Sequence, residues 1–261
     1  MSKYLSSCVV GYILLAGLCL FAIAIPMLTD TDPNKQNLSN TLSGFTTTNL
    51  LGTDHYGRDM LTRLAYATRL SFVLAFVTMF TSALLGISLG ILAAYRKGPV
   101  EKILLITSDM ILALPSLLLV LLLVAFSPGN FLLLYLGLSL SLWVEFFRTI
   151  RAKTQTILIQ PHIEATKLLG FSFFYILQKH ILPQLYSTIL TLGTFAMGTA
   201  IITISTLSAI SVGLKPPTAE LGSMIVELMP YFDQYPILIL MPSLMVVLLV
   251  LSLQLISKKN F

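Results

Sequence analysis

The stretch from Leu70 to Tyr95, LSFVLAFVTMFTSALLGISLGILAAY, decides the fold class because it contains no charged side chain. A helix needs about 20 mainly apolar residues to cross the roughly 30 Å hydrocarbon core of a bilayer. A strand of a membrane barrel would instead alternate apolar and polar residues over about 10 positions, and this stretch is apolar on all sides. It therefore predicts a membrane-spanning α-helix.

Other segments along the chain share this character, and together they predict six membrane crossings. Of the 261 residues, 56% are hydrophobic and only 10% are charged, whereas a soluble domain carries nearer a quarter of charged residues. The predicted fold class is all-α, a polytopic membrane helical bundle with six transmembrane helices. The predicted spans are residues 8–28, 70–95, 103–126, 131–147, 185–213 and 236–256.

The distribution of lysine and arginine predicts the orientation of these spans. With the amino terminus inside, eleven basic residues fall in inner segments and five in outer segments, which is the asymmetry expected of cytoplasmic loops. The net charge of +5 is assigned to this anchoring and not to nucleic acid binding. The predicted organisation is a first transmembrane helix with a cytoplasmic amino terminus at 1–28, an extracytoplasmic loop at 29–69, and a transmembrane domain at 70–261.

Patterns that look catalytic have a simpler structural interpretation. Gly86-Ile87-Ser88-Leu89-Gly90 has the letters of a G-x-S-x-G nucleophile turn, but that turn joins a strand to a helix and needs a histidine and an acid nearby. Inside a predicted span, Gly86 and Gly90 instead form a G-x-x-x-G face for close helix packing. No histidine falls in a predicted span, and neither an H-E-x-x-H motif nor a P-loop occurs. We therefore expect no catalytic site, metal site or cofactor in this chain.

Two acidic residues, Asp109 and Glu145, lie near the inner ends of the third and fourth predicted spans. Carboxylates in spans can mark ion pathways. Glu145 is three residues from Arg148, however, and this spacing brings two side chains to the same face of a helix. We therefore expect Glu145 and Arg148 to pair at the membrane interface.

The segment 148–183 predicts a short helix, a turn and a second short helix at the cytoplasmic face. Pro161 suits the first turn of a helix, and the helix dipole favours the negative charge of Glu164 in that turn. Gly170 can adopt the left-handed conformation that ends a helix, and Pro183 marks a break before the fifth span. Such a unit can dock onto a cytoplasmic protein. The alternative is an amphipathic segment that lies at the membrane interface without a partner.

The outer segment 51–69 mixes fixed charges with apolar residues. From Asp59 onward its apolar residues recur at helical spacing. This pattern predicts an amphipathic helix that lies on the outer membrane face and is entered through turns at Gly52 and Gly57. A solvated run of charges is the alternative interpretation.

The helix–turn–helix resembles the EAA loop of bacterial ABC-importer permeases. The pattern of that loop is E-A-A, three residues, G, nine residues, I, one residue, L-P, and the spacing here fits it throughout. Two positions depart from the pattern, because Thr166 replaces the second alanine and His180 replaces the isoleucine. The residues that carry the resemblance are Glu164, Ala165, Gly170, Leu182 and Pro183.

Two further segments resemble the second permease subunit of the dipeptide, oligopeptide and nickel importers. Residues 213–222 are similar to a G-L-G-x-x-x-P-T-x-x-W-G segment before the last span, with Leu221 in place of the tryptophan. The other segment matches an L-G-T-D-x-x-G-R-D signature in the outer loop. Its residues are Gly52, Thr53, Asp54, Gly57, Arg58 and Asp59.

The resemblance implies the fold of a type I ABC-importer permease in the bacterial inner membrane. Such a permease pairs with a second homologous permease, two cytoplasmic ATPase subunits and an extracytoplasmic substrate-binding protein. ATP and magnesium would be bound by the ATPases, so this chain would perform no bond chemistry. The loop at 161–183 would supply the coupling helix, which moves when ATP closes the ATPase pair.

The substrate follows less directly from the resemblance. Members of this family carry short peptides, nickel or metal chelates, and the sequence Pro217-Thr218-Ala219-Glu220 looks slightly more like the nickel permeases. The absence of histidine from the spans argues against a bare ion and permits a chelated one. A secondary transporter that needs no ATPase is the alternative, but it would be expected to show a charged or broken-helix site near the bilayer midplane.

Overall fold

The computed structural model describes residues 2–29, 31–127 and 129–257, and the side chains from residue 8 onward within those ranges. The described chain is an all-α bundle, as predicted. Its longest helix is α2, and a short irregular helical stretch, Leu177–Ile181, joins α7 to α8. The helices are α1 (Ser2–Thr29), α2 (Met60–Arg96), α3 (Gly98–Leu112), α4 (Ser116–Ala125), α5 (Phe131–Leu158), α6 (Pro161–Leu168), α7 (Phe173–Ile176), α8 (Leu182–Ala209), α9 (Leu221–Leu228) and α10 (Pro236–Ser257).

Five helical runs within the described residues are long and apolar enough to cross a membrane, namely α1, α2, α5, the run Phe173–Ala209 that contains α8, and α10. The third predicted span is not one straight helix, because α3 and α4 meet at 77°. Pro115 lies at this break, where its missing N–H and its ring disfavour a continuous helix. If the bent pair counts as one crossing, the bundle has six. The orientation with both ends inside stays a prediction, and Lys258 and Lys259 lie outside the described residues.

The predicted surface helix of the outer segment is wrong. α2 begins at Met60 and runs without a break to Arg96, so residues 60–69 are the first turns of a membrane-crossing helix. Asp59 caps this helix, because its carboxylate accepts a hydrogen bond from the Thr62 N–H at 2.9 Å. Thr62, Arg63 and Thr68 in these first turns are buried and Arg69 is exposed, so most of the amphipathic pattern reflects packing against the rest of the chain and not contact with a membrane surface.

The centre of the bundle is the contact between α2 and α5. A Cβ atom at Gly86 would clash with the Cβ of Phe146, and one at Gly90 would lie 2.9 Å from the carbonyl oxygen of Phe147. Close approach of two helices at small residues is the usual mode of packing in membranes, where burial of apolar groups gives little driving force. Beside these glycines, the Ser82 hydroxyl donates to the backbone oxygen of Ser139 at 3.2 Å, which adds a polar link between the helices.

Candidate functional site

We call residues 161–183 the coupling segment, and three buried isoleucines anchor it to the bundle. Ile163 of α6, together with Ile176, Ile181 and Leu185, is fully buried in an apolar cluster that includes residues of α2 and the end of α5. The cluster fixes one face of the segment to the ends of α2 and α5 and to the start of α8. A movement of the segment would therefore be transmitted to α2, α5 and α8.

The other face of the coupling segment exposes large apolar side chains. Leu168 is 88% exposed, Leu169 is 75% exposed and Phe174 is 71% exposed. Leu168 is the last residue of α6, Leu169 follows it, and Phe174 lies in α7. An exposed apolar cluster of this kind, rimmed by polar residues, is typical of a protein–protein contact.

The turn between α6 and α7 requires its glycine. Gly170 has φ of +80°, a conformation that an L-residue adopts only with strain, and nothing lies within 4 Å of the position where a Cβ would be. The Phe171 N–H donates to the carbonyl oxygen of Thr166 at 3.4 Å, and the Ser172 hydroxyl accepts from the Tyr175 N–H at 3.4 Å. These bonds end one helix and begin the next.

The remaining family positions of the coupling segment lie on its exposed side. Glu164 and Ala165 in α6 are exposed, and so are Leu182 and Pro183 at the start of α8. His180, which stands in place of the family isoleucine, has its ring centroid 5.5 Å from that of His162. The structure thus brings the two ends of the EAA pattern to the same part of the bundle.

Four charged residues on the opposite face of the bundle form what we call the outer charge cluster: Asp54, Arg58, Arg63 and Glu227. Arg58 Nε donates to Asp54 Oδ2 at 2.5 Å, and its Nη2 donates to Glu227 Oε2 at 2.5 Å. Arg63 lies 3.5 Å from the same Asp54 oxygen and 3.4 Å from the same Glu227 oxygen. Both arginines are 1% exposed. Two positive and two negative charges therefore neutralise one another inside the protein, as burial of charge requires.

The outer loop has a backbone shaped to present these charges. Gly52 and Gly57 have φ of +76° and +69°, and a Cβ at Gly57 would clash with the backbone of Asn37. The Thr53 hydroxyl donates to the carbonyl oxygen of Asn40 at 2.6 Å, and Asp54 Oδ1 accepts from the backbone N–H of Arg58 at 2.9 Å. The outer signature is thus a folded loop with a charged core, and not a solvated run of charges.

Glu227 is the member of the outer charge cluster that sequence reasoning missed. It lies in α9, 164 residues after Arg63, so local spacing gave no indication of the pairing. The available signal was a single acid in an otherwise apolar segment opposite a loop rich in arginine. The α9 helix itself is fixed by Glu220, whose carboxylate accepts from the Ser223 N–H at 2.8 Å and which is fully buried. The segment 213–222 therefore determines where α9 begins, and α9 holds Glu227 beside the two arginines.

Three groups that could ligate a metal ion lie at this cluster. Ligand atoms of Asp54, His55 and Glu227 lie within 4.8 Å of one another. Both oxygens of Asp54 accept hydrogen bonds and two arginines balance the negative charges, whereas His55 Nδ1 and Glu227 Oε1 have no hydrogen-bond partner among the described residues. Burial lowers the pKa of the His55 imidazole below its ordinary value, because the charged form loses solvation, although Asp54 opposes this shift.

The predicted pair of Glu145 and Arg148 is wrong. The guanidinium of Arg148 bonds to Asp109 of α3, while Glu145 is exposed on the surface of α5. The neighbouring Arg151 donates from Nε to Glu101 at 2.8 Å. Because α3 packs beside α5, its acids reach these arginines from another helix, and the cross-helix pairs replace the expected local one.

Comparisons with known proteins identify relatives of this chain. Residues 86–259 match the family described as "Binding-protein-dependent transport system inner membrane component". The chain is 34% identical over 235 residues to the metal-staphylopine import system permease protein CntC of Staphylococcus aureus, covering 90% of this chain and 81% of that protein. It is 29% identical over 254 residues to the dipeptide transport system permease protein DppC of Haemophilus influenzae, covering 95% of this chain and 86% of that protein.

A solved structure shares the fold. The inward-facing MetNI methionine ABC transporter matches with a TM-score of 0.57, covering 77% of this chain and 95% of that chain. The sequences are only 17% identical, so the likeness concerns the arrangement of helices alone.

Proposed function

Because this chain belongs to the family of binding-protein-dependent transport system inner membrane components, we propose that it is a permease subunit of an ATP-driven importer and that its coupling segment docks onto a cytoplasmic ATPase. The observation that carries the proposal is the contrast between the two faces of the coupling segment. One face is anchored by Ile163 and its buried neighbours, and the other exposes Leu168 and Phe174. A protein surface that covered the exposed face would be mechanically joined to the spans.

Coupling then proceeds by a shift between two conformations of the bundle. ATP binding to the partner ATPases favours one arrangement of the docked coupling segments, and the long helices follow because the segment is packed against their ends. The chain itself provides no bond chemistry in this scheme. Nucleotide and magnesium belong to the ATPase subunits, and a second, homologous permease completes the pathway.

The outer charge cluster has a complementary role in the proposal. It ties the outer loop and the start of α2 to α9, which lies between α8 and the beginning of α10. This part of the permease is then a rigid rim that can receive a substrate-binding protein and shape the outer gate. Asp54 and Arg58 act through this rim and need not touch the substrate.

For the substrate we propose a metal chelate rather than a bare ion or a peptide. Three features support this proposal: the relative that imports metal-staphylopine, the nickel-like sequence around Thr218, and three histidines that all lie outside α1, α2, α5, α8 and α10. A short peptide is the second candidate, supported by the dipeptide permease relative. Selectivity for either would lie mainly in the binding protein.

The test is reconstitution of the permease with the products of its neighbouring genes. Co-purification should yield two ATPase subunits, and vesicles that contain the complex should take up a radioactive nickel or zinc chelate only with ATP inside and binding protein outside. Uptake of a dipeptide with no uptake of chelate would exclude the proposed substrate and keep the importer. ATP-independent uptake by the chain alone would exclude the importer and favour a secondary transporter.

A further inference from the structure

A groove lies between α1 and α2, apart from the coupling segment and the outer charge cluster. It has a volume of about 420 Å³ and an apolar lining that includes Leu18, Ile23 and Met27 of α1 and Phe72 of α2. Small-molecule sites in proteins generally fall between about 300 and 1,000 Å³. The groove is therefore large enough for part of a lipid chain.

The position of the groove in the bundle corresponds to one leaflet of a bilayer. From Leu18 to Met27 is nine residues of α1, or about 14 Å at 1.5 Å per residue, close to half of the roughly 30 Å hydrocarbon core. The hydroxyls of Thr31 and Thr62 meet at 3.2 Å, which places the outer end of α1 beside the start of α2. The groove thus occupies the half of the membrane opposite the coupling segment.

A single charged side chain, Arg69, lines this groove. Arg69 is exposed, and none of the ion pairs recorded among the described residues includes it. The two arginines that precede it in the sequence, Arg58 and Arg63, are already paired with acids of the outer charge cluster. An arginine in a membrane-crossing helix directs its head group toward the interface, where phosphate groups are found.

The apolar lining of the groove and the charge of Arg69 together favour one kind of ligand. An apolar helix of a second permease could fill the groove, but it would cover the Arg69 guanidinium without supplying a negative charge, at the cost of burying an unpaired ion. A phospholipid supplies both an apolar chain and a phosphate, and a guanidinium binds phosphate through paired hydrogen bonds. We propose that the groove binds an anionic phospholipid of the leaflet opposite the coupling segment, with an acyl chain along α1 and the headgroup on Arg69.

Lipid retention measured by native mass spectrometry tests this site. The full-length chain would be transferred to nanodiscs of phosphatidylcholine with or without phosphatidylglycerol and then released for analysis. We expect about a fivefold preference for phosphatidylglycerol, which corresponds to the roughly 1 kcal/mol that one arginine contributes near an anionic surface. Arg69→Gln should abolish this preference, Arg69→Lys should keep most of it, and Lys215→Gln should leave it unchanged because Lys215 does not line the groove.

Two further measurements separate a lipid site from a merely structural arginine. Val73 lines the groove and is 49% exposed, so Val73→Trp should fill the groove and reduce retention of both lipids while Arg69 remains. Cys19 also lines the groove, so in a Cys8→Ser chain its alkylation by an apolar maleimide should slow when phosphatidylglycerol is present.

Two results would overturn the proposal. The first is equal retention of the two lipids by the wild-type chain. The second is protection of Cys19 that depends on the second permease and not on lipid composition, since this would assign the groove to a helix of the partner.

Discussion

The outer charge cluster buries charged side chains, whereas the coupling segment exposes apolar ones. At the outer face, Asp54, Arg58, Arg63 and Glu227 are largely withdrawn from solvent and paired with one another. At the coupling segment, large apolar side chains are exposed. The charges of the first region are paired within this chain, whereas the exposed apolar side chains of the second are, in our proposal, covered by another protein. Substitutions should therefore act mainly on stability in the first region and mainly on ATPase docking in the second.

The largest effect on stability is expected from Arg58→Ala. Removal of this guanidinium leaves Asp54 and Glu227 with a single, more distant arginine, and breaking a buried ion pair costs about 3–5 kcal/mol. Thermal unfolding in detergent should show this loss, and transport and pairing with the second permease should fall while the affinity of the binding protein for substrate stays the same. Lys215→Ala is the matched control, because this exposed cation should change stability by no more than about 0.5 kcal/mol. A loss in Arg58→Ala as small as that of the control would show that the cluster is not structural.

An intermediate effect is expected from Gly170→Val. A β-branched residue at φ of +80° is strained by about 1–3 kcal/mol. Because the turn directs the exposed face of the coupling segment, we also expect weakened ATPase binding or ATP hydrolysis without transport. Gly98→Val is the matched control, since Gly98 has φ of +63° and equally open surroundings at the turn between α2 and α3. Loss of coupling in both variants would attribute the effect to strain in general and contradict a specific role for Gly170.

A small effect on stability with a large effect on assembly is expected from Leu168→Ser. The side chain is 88% exposed, so the stability of the isolated chain should change by no more than about 0.5 kcal/mol. The yield of ATPase that co-purifies should nevertheless fall. Leu38→Ser in the outer loop, where the leucine is 71% exposed, should leave that yield unchanged. Equal yields from the two variants would remove Leu168 from the proposed interface.

The smallest effect is expected from pH. The folded chain lowers the pKa of His55, so below about pH 6.5 the unfolded chain binds the proton more readily, and the stability should fall as the pH goes from 7 to 5. Asp54 and Glu227 favour the protonated form, while burial, Arg58 and Arg63 oppose it, so the change should be modest. His55→Gln should make thermal unfolding less dependent on pH over this range. An unchanged pH dependence in that variant would place the titrating group elsewhere.

The sequence predicted the features that depend on local pattern. Apolar runs marked the long helices, and the glycine expected to take a left-handed conformation at 170 has φ of +80°. The same local rules failed where a distant segment changed the outcome. Arg148 pairs with Asp109 of α3 instead of Glu145, and the charges before α2 are buried because Glu227 of α9 reaches them. A helical repeat shows which residues share a face but not whether that face meets lipid, water or protein.

Cross-linking from the coupling segment tests the central claim most directly. In a chain whose cysteines 8 and 19 are replaced by serine, Leu169→Cys would carry a photoreactive group, and the complex would be irradiated after co-purification. Leu169 is 75% exposed, so the label should not disturb the buried anchors. The account predicts a covalent adduct with an ATPase subunit from position 169 and none from Leu28→Cys, which is 79% exposed at the outer end of α1. Absence of an adduct from position 169 in a complex that retains its ATPases would contradict docking through this segment.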